Sequence, residues 1–273
     1  KSMSQLTRIN KILKFLNTKT KNFKPDTILI TGSGLANAIP KLSNQIKIPY
    51  AKIPGFPKST VKGHTGNLIF GTYGKKKIVV MQGRFHYYEG HPIQDLAIPI
   101  RVLWKMGAKT LIVSAAVGSF NEKLKPGSMA ILKDHINFMG INPLIGNYIK
   151  GFGNMFFDIS NTYDKNLRTK AKKIAKSQGI SHAEAIYVAF AGPNFDTPTE
   201  IQMFKKAGAD IAGMSVVPET LVAKQLDMKI VGFCWVGNMA AGITKSKITH
   251  DKVVTECKNT EQKFKKFLEH FLK

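Results

Sequence analysis

The sequence predicts an α/β fold, on three observations. Short apolar runs rich in β-branched residues alternate with segments of helical periodicity. Glycine-bearing turns close several of those runs, as at Gly32-Ser33-Gly34. No linker, repeat or composition break divides the 273 residues, so residues 1–273 read as a single domain. Lys1 and Ser2, ahead of Met3, are set aside as a cloning remnant.

Leu6, Ile9, Ile12, Leu13 and Leu16 recur at helical spacing and predict an amphipathic opening helix over 4–18. Thr27–Thr31 is the first strand, and it feeds the Gly32-Ser33-Gly34 turn. Further strands are expected at Leu68–Tyr73, Lys77–Met81, Thr110–Ala115, Met129–Leu132, Ile186–Phe190 and Lys229–Val236. Helices are expected over 93–106, 164–178, 198–207, 217–226 and about 250–272. The last of these carries Val253, Val254, Cys257, Phe264, Phe267, Leu268 and Phe271 on one face. Two long segments, 52–66 and 134–160, are irregular and rich in Gly, Pro, Asn and His. Loops of that length in a compact domain usually carry function.

The chain holds 41 Lys+Arg against 17 Asp+Glu, a net charge of +24, with hydrophobic residues at 43%. That apolar share fills a core and excludes wholesale disorder. The charge invites a nucleic-acid reading, but the arginines are Arg8, Arg84, Arg101 and Arg168 alone, and the lysines are scattered. Base readout favours the planar guanidinium fork, so nucleic acid is disfavoured as a partner. A solvated lysine surface is the plain reading, and steering of an anionic substrate the functional one. No apolar run reaches the ~18 residues of a membrane helix. Cys234 and Cys257 form neither a disulfide framework nor a Cys-x-x-Cys metal pair. A cytoplasmic protein with no metal and no cofactor is the expectation.

Chemistry concentrates in three motifs. Thr31-Gly-Ser-Gly-Leu35 exposes backbone N–H groups and a hydroxyl that can cradle an oxyanion, although a plain strand-ending turn fits equally well. It lacks both the P-loop lysine and the dinucleotide spacing. Gly83-Arg-Phe-His-Tyr-Tyr-Glu-Gly-His91 follows a strand, where α/β proteins place ligand-binding groups. There Arg84 offers a fork for phosphate, His86 a tunable donor, and Glu89 a carboxylate able to orient either. Ala191-Gly-Pro-Asn-Phe-Asp-Thr-Pro-Thr-Glu200 runs into a helix. Its Thr197, Pro198 and Glu200 make a helix start with a capping box. Phe195 and Asp196 remain, an aromatic face and a carboxylate suited to a flat nitrogen heterocycle. Met214, Asn238 and His250, taken singly, read as core, turn and cap residues.

In this order the pieces resemble the trimeric class of purine nucleoside phosphorylases, bacterial type, from about Thr27 to His250. The matching blocks are Gly32-Ser-Gly-Leu, Gly55-Phe-Pro with Gly63-His-Thr-Gly, Gly83-Arg-Phe-His-Tyr-Tyr-Glu-Gly, Asp134-His-Ile-Asn, Gly192-Pro-Asn-Phe-Asp-Thr, Gly213-Met-Ser-Val-Val-Pro-Glu and Gly237-Asn-Met-Ala-Ala-Gly. The resemblance implies a phosphorylase/hydrolase-like fold, a mixed sheet curled into a distorted barrel flanked by helices. It implies a homotrimer that cleaves purine (deoxy)ribonucleosides with inorganic phosphate as co-substrate. By position, Ser33, His64, Arg84, His86, Ala116 and Ser215 would hold phosphate. Tyr88, Met214 and His250 would hold the sugar. Phe195, Asp196 and Asn238 would hold the base, joined by Phe156 from the neighbouring subunit. His86, Glu89, Asp196 and Asn238 would carry the catalysis.

An amide such as Asn238 can donate to O6 and accept from N7–H of a 6-oxopurine, so inosine and guanosine are expected over adenosine. The chain departs from the family pattern at Asp196, where Glu is usual, and at Gly237, where Thr is usual. It departs again at Ala115-Ala116-Val117-Gly118-Ser119, which leans toward methylthioadenosine phosphorylases. Two alternatives stay open: a xanthosine or methylthioadenosine phosphorylase of the same superfamily, and a catalytically weakened basic homologue that binds nucleic acid.

Overall fold

The computed structural model describes residues 4–57, 66–245 and 248–273. Helix α1 (Gln5–Lys19) starts where the Ser4 hydroxyl accepts from the Thr7 N–H at 3.2 Å, and it buries Ile9, Ile12 and Leu16. Nine strands follow: β1 (Thr27–Thr31), β2 (Ser43–Pro49), β3 (Asn67–Tyr73), β4 (Lys76–Gln82), β5 (Thr110–Ser119), β6 (Met129–Asn137), β7 (His182–Ala189), β8 (Ile211–Gly213) and β9 (Lys229–Met239). Helices α2 (Ala97–Lys105), α3 (Lys165–Ser177), α4 (Pro198–Lys206), α5 (Val217–Gln225) and α6 (His250–Phe271) alternate with them.

The strands form one mixed sheet in the order β2-β3-β4-β1-β5-β8-β7-β6-β9, and β9 returns to pair with β5. That last pairing closes five strands into a barrel and leaves β2, β3, β4 and β1 as an open wing. The wing and barrel share β5. Its Thr110–Val113 stretch pairs with β1, whereas Gly118 and Ser119 pair with β8 on the same edge. Between those two pairings the edge at Ser114–Val117 splits open. This is the switch point at which open α/β sheets place ligands.

Burial follows the two-residue period of a strand. In β1, Ile28 and Ile30 join the core beneath α1, α2 and α5, while Leu29 joins the one beneath α3 and α6. On that second face Phe233 of β9 meets Phe267 and Phe271 of α6 edge-on, at 4.9 and 5.1 Å between ring centroids. A smaller core joins Phe120, Val188, Ile201 and Phe204 below α4.

The predicted mixed sheet, distorted barrel and flanking helices are all present. Four local readings need correction. Strand β2 was not expected: its Ser-Asn-Gln-Ile-Lys-Ile-Pro sequence lies on the sheet edge and is mostly exposed, so it carries little apolar signal. The segment taken as irregular from 134 begins as strand, since β6 runs to Asn137. Strand β7 starts at His182 rather than Ile186, and its first three residues are only half-buried. The helix expected over 93–106 divides into a 3₁₀ turn (Ile93–Leu96) and α2. Among the described residues no helix is long and apolar enough to cross a membrane, and no group of three His, Cys, Asp or Glu side chains could hold a metal ion.

Candidate active site

A cavity of about 310 Å³ occupies the split in β5. Strands β1, β4, β5 and β9 run parallel, and their carboxyl ends form its floor. Ser33 follows β1, Arg84 follows β4, Ala115 and Ala116 belong to β5, and Ser215 follows β8; all line one end. Gly32 allows these strand ends to approach, because a β-carbon there would stand 3.0 Å from the Ser114 carbonyl oxygen and 3.5 Å from Arg84 Nη1.

Arg84 is buried, with 1% of its surface exposed. Its Nε donates to Glu219 Oε1 at 3.1 Å, and its Nη1 donates to the Ser114 carbonyl at 2.8 Å and to Ser215 Oγ at 3.0 Å. Its Nη2 is buried yet has no partner. An unmet charged donor in a cavity is costly, and an anion satisfies it.

Ser215 is held by its backbone. Tyr187 Oη accepts from the Ser215 N–H at 3.2 Å, and the Val217 N–H closes a three-residue turn onto the Ser215 carbonyl at 2.8 Å. The turn puts Val216 at φ 70° and ψ −56°, a conformation that strains a β-branched side chain by about 1–3 kcal/mol. Val216 is fully buried, so packing holds it there.

His86 presents its ring to the same end. Glu89 Oε1 accepts from the His86 backbone N–H at 2.8 Å and lies 2.9 Å from its Nδ1, across the 3₁₀ turn Tyr87–Glu89. Burial pushes the imidazole pKa down, outweighing the Glu89 hydrogen bond that raises it, so the ring is neutral near pH 7. With Nδ1–H directed to Glu89, Nε2 is the ring's basic nitrogen. Tyr88 stacks on His86 at 4.6 Å, the rings 16° from parallel.

Phe195, Asp196 and Asn238 line the same cavity. The expected capping box is present: Thr197 Oγ1 accepts from the Glu200 N–H at 3.2 Å, and Glu200 Oε2 from the Thr197 N–H at 2.7 Å. This fixes the two residues just ahead of α4. Burial raises the Asp196 carboxyl to about 6. Asn238 lies opposite Gly118 across the β5–β9 pair and donates one amide N–H to the Met239 carbonyl at 2.8 Å. Met214 and the exposed His250 complete the wall with Ile248 and Val253.

Eleven residues singled out from sequence therefore meet in one cavity: Ser33, Arg84, His86, Tyr88, Ala116, Phe195, Asp196, Met214, Ser215, Asn238 and His250. Glu89, expected among the catalytic residues, is absent from the cavity's lining and contacts it through His86. Phe156 is outside the cavity, 88% exposed. His64 lies outside the described residues. Sequence reasoning missed Glu219, Ser114 and Tyr187. Each acts through a contact distant along the chain, and only Glu219 stood in a matching block, with no role attached.

A split-sheet cavity lined by a buried guanidinium, two serines, an aromatic ring, a carboxyl group and an amide belongs to a known class of α/β enzyme. A family model described as the phosphorylase superfamily matches residues 26–273. Purine nucleoside phosphorylase 1 of Geobacillus stearothermophilus is 43% identical over 262 residues, covering 96% of this chain and 95% of the relative. Among solved structures, Schistosoma mansoni purine nucleoside phosphorylase in complex with adenosine superposes with a TM-score of 0.92 at 35% identity, covering 98% of each chain. A Schistosoma purine nucleoside phosphorylase in complex with guanosine gives 0.91 at 34% identity, covering 99% of this chain and 98% of that one. The chain belongs to the phosphorylase superfamily and, within it, to the purine nucleoside phosphorylases.

Proposed function

We infer that the enzyme cleaves 6-oxopurine nucleosides with inorganic phosphate, giving free base and (deoxy)ribose 1-phosphate, with no cofactor. The observation that carries this reading is the buried, unpartnered Nη2 of Arg84. Phosphate would accept from it, from Ser33 and Ser215, and from the backbone of Ala116. A protonated phosphate oxygen would donate to His86 Nε2.

The glycosidic carbon would lie between this anion and the base wall, against Tyr88 and Met214, with His250 at the 5′-hydroxyl. As the bond to the base stretches, C1′ becomes oxocarbenium-like and the held anion stabilises it. Fixing both partners in one cavity removes much of the entropic barrier. The departing purine gains negative charge, which Asn238 relieves by donating to O6 and accepting from N7–H. Asp196, ionised near neutrality, accepts from N1–H, and Phe195 stacks on the ring. A 6-aminopurine offers a donor where the amide donates, which disfavours adenosine.

The segment 138–160 exposes Ile145 (67%), Met155 (53%) and Phe156 (88%). Apolar exposure of this kind suits a subunit interface, which supports a homotrimer whose Phe156 reaches a neighbouring base site. The reading is tested by assaying base release from inosine, guanosine, xanthosine, adenosine and methylthioadenosine, with and without phosphate. Release from inosine and guanosine only with phosphate, cut about 10²-fold by Arg84→Ala, is expected. Release independent of phosphate would overturn the reading.

A further inference from the structure

Arg84 does not orient itself. Its side chain leaves the turn after β4, where Gly83 adopts φ 100°, and crosses to the first turn of α5. There Glu219 takes its Nε edge at 3.1 Å. The side chains of the pair are 1% and 7% exposed, so neither has a solvent alternative. Glu219 directs Oε1 to Arg84 alone, while its Oε2 is buried with no partner. Its carboxylate therefore makes one hydrogen bond, and that bond is to the guanidinium. A planar guanidinium held at Nε and Nη1 is fixed in orientation, and Arg84 lines the cavity beside Ser33 and Ser215 with Nη2 its unpartnered nitrogen.

We propose that Glu219 is a positioning residue, which fixes the Arg84 guanidinium so that its Nη2 edge faces the bound oxyanion. The role deepens the phosphate reading given above and rests on it. Glu219 also offsets the Arg84 charge before the anion arrives, so geometry rather than bare attraction sets anion affinity. Carboxylate reach then matters more than carboxylate charge. Shortening the side chain by one methylene keeps the charge but draws the guanidinium back. Replacing the carboxylate by an amide keeps an acceptor at the same reach and removes the charge.

The experiment is calorimetric binding of inorganic phosphate to the full chain without nucleoside, together with phosphate and nucleoside KM, for the wild type, Glu219→Asp and Glu219→Gln. Glu219→Asp is expected to weaken phosphate binding and raise phosphate KM at least tenfold, with nucleoside KM unchanged. Glu219→Gln is expected to stay within about threefold of wild type for phosphate, even where its melting temperature falls. A residue with only a structural role would lower stability in both variants and leave the phosphate constant of the folded protein alone; that result overturns the proposal. So does a Glu219→Gln loss as large as that of Glu219→Asp. If the wild type itself binds no phosphate, the proposal falls together with the phosphate reading. Wild-type binding that both variants share defeats the role of Glu219 only.

Discussion

Gly237 lies directly beneath Val253: a β-carbon on this β9 residue would stand 2.8 Å from Val253 Cγ1, at the first turns of α6. Val253 lines the cavity, and His250, three residues earlier, does too. The missing side chain therefore sets how closely the start of α6 sits against the sheet. Gly237→Thr is expected to push that turn outward and cost about 1–3 kcal/mol, the usual range for overpacking. Urea unfolding reads the loss, and Val253→Ala in the same chain should recover much of it. Additive losses in the double variant would mean that the two residues do not press on each other.

The same helix shows what the sequence made legible. Its apolar face was readable from spacing because Val253, Cys257, Phe264, Phe267, Leu268 and Phe271 repeat with the turn and are all buried. The site motifs were readable where they are contiguous, as around Arg84 and Asp196. What stayed hidden depends on distance along the chain. Arg84 and Glu219 are 135 residues apart, and Ser215 and Tyr187 are 28 apart, so no local pattern joins them. Edge strand β2 stayed hidden for a different reason, since it buries too little to leave a pattern.

Asp196 costs the fold stability, and the proposed base contact would account for its place. Its folded carboxyl titrates at about 6 against an ordinary value of 3.8, because burial disfavours the charge. The folded protein thus binds more protons than the unfolded chain between those values, and stability falls as pH rises through that window. Asp196→Asn removes the penalty and is expected to raise stability at pH 7 by ~1 kcal/mol, after discounting for partial exposure. The amide can still accept from N1–H, but as a neutral group it holds it more weakly. Inosine KM should rise, and the wild-type rise in inosine KM below pH 6 should vanish. A wild-type KM that stays flat between pH 5 and pH 7 would count against an ionised Asp196 at the base.

On the proposed reading, base preference turns on Asn238. Its amide lies over Gly118, whose β-carbon would come within 3.4 Å of Nδ2, so the space for that side chain is kept by an absent one. Asn238→Asp places a carboxyl group there, able to accept from a 6-amino group and, when protonated, to donate to N7. The ratio of kcat/KM for adenosine over inosine should rise by at least tenfold, about 1.4 kcal/mol of discrimination. An unchanged ratio would remove the amide from the account of specificity.

Phe156 gives the sharpest test of assembly, because at 88% exposure it contributes almost nothing to its own fold. Phe156→Ala should shift stability by less than ~0.5 kcal/mol. If the ring stacks on a neighbour's bound base, its loss costs about 1–3 kcal/mol and appears in nucleoside KM, with phosphate KM unchanged. Mixing separates this from an effect within one chain. A trimer formed from Phe156→Ala and Asn238→Ala chains contains sites whose Asn238 comes from one subunit and whose Phe156 comes from the other. Those sites should recover a nucleoside KM lower than that of the Phe156→Ala parent. Recovery absent from a trimer confirmed by native mass spectrometry would assign Phe156 to its own subunit's surface.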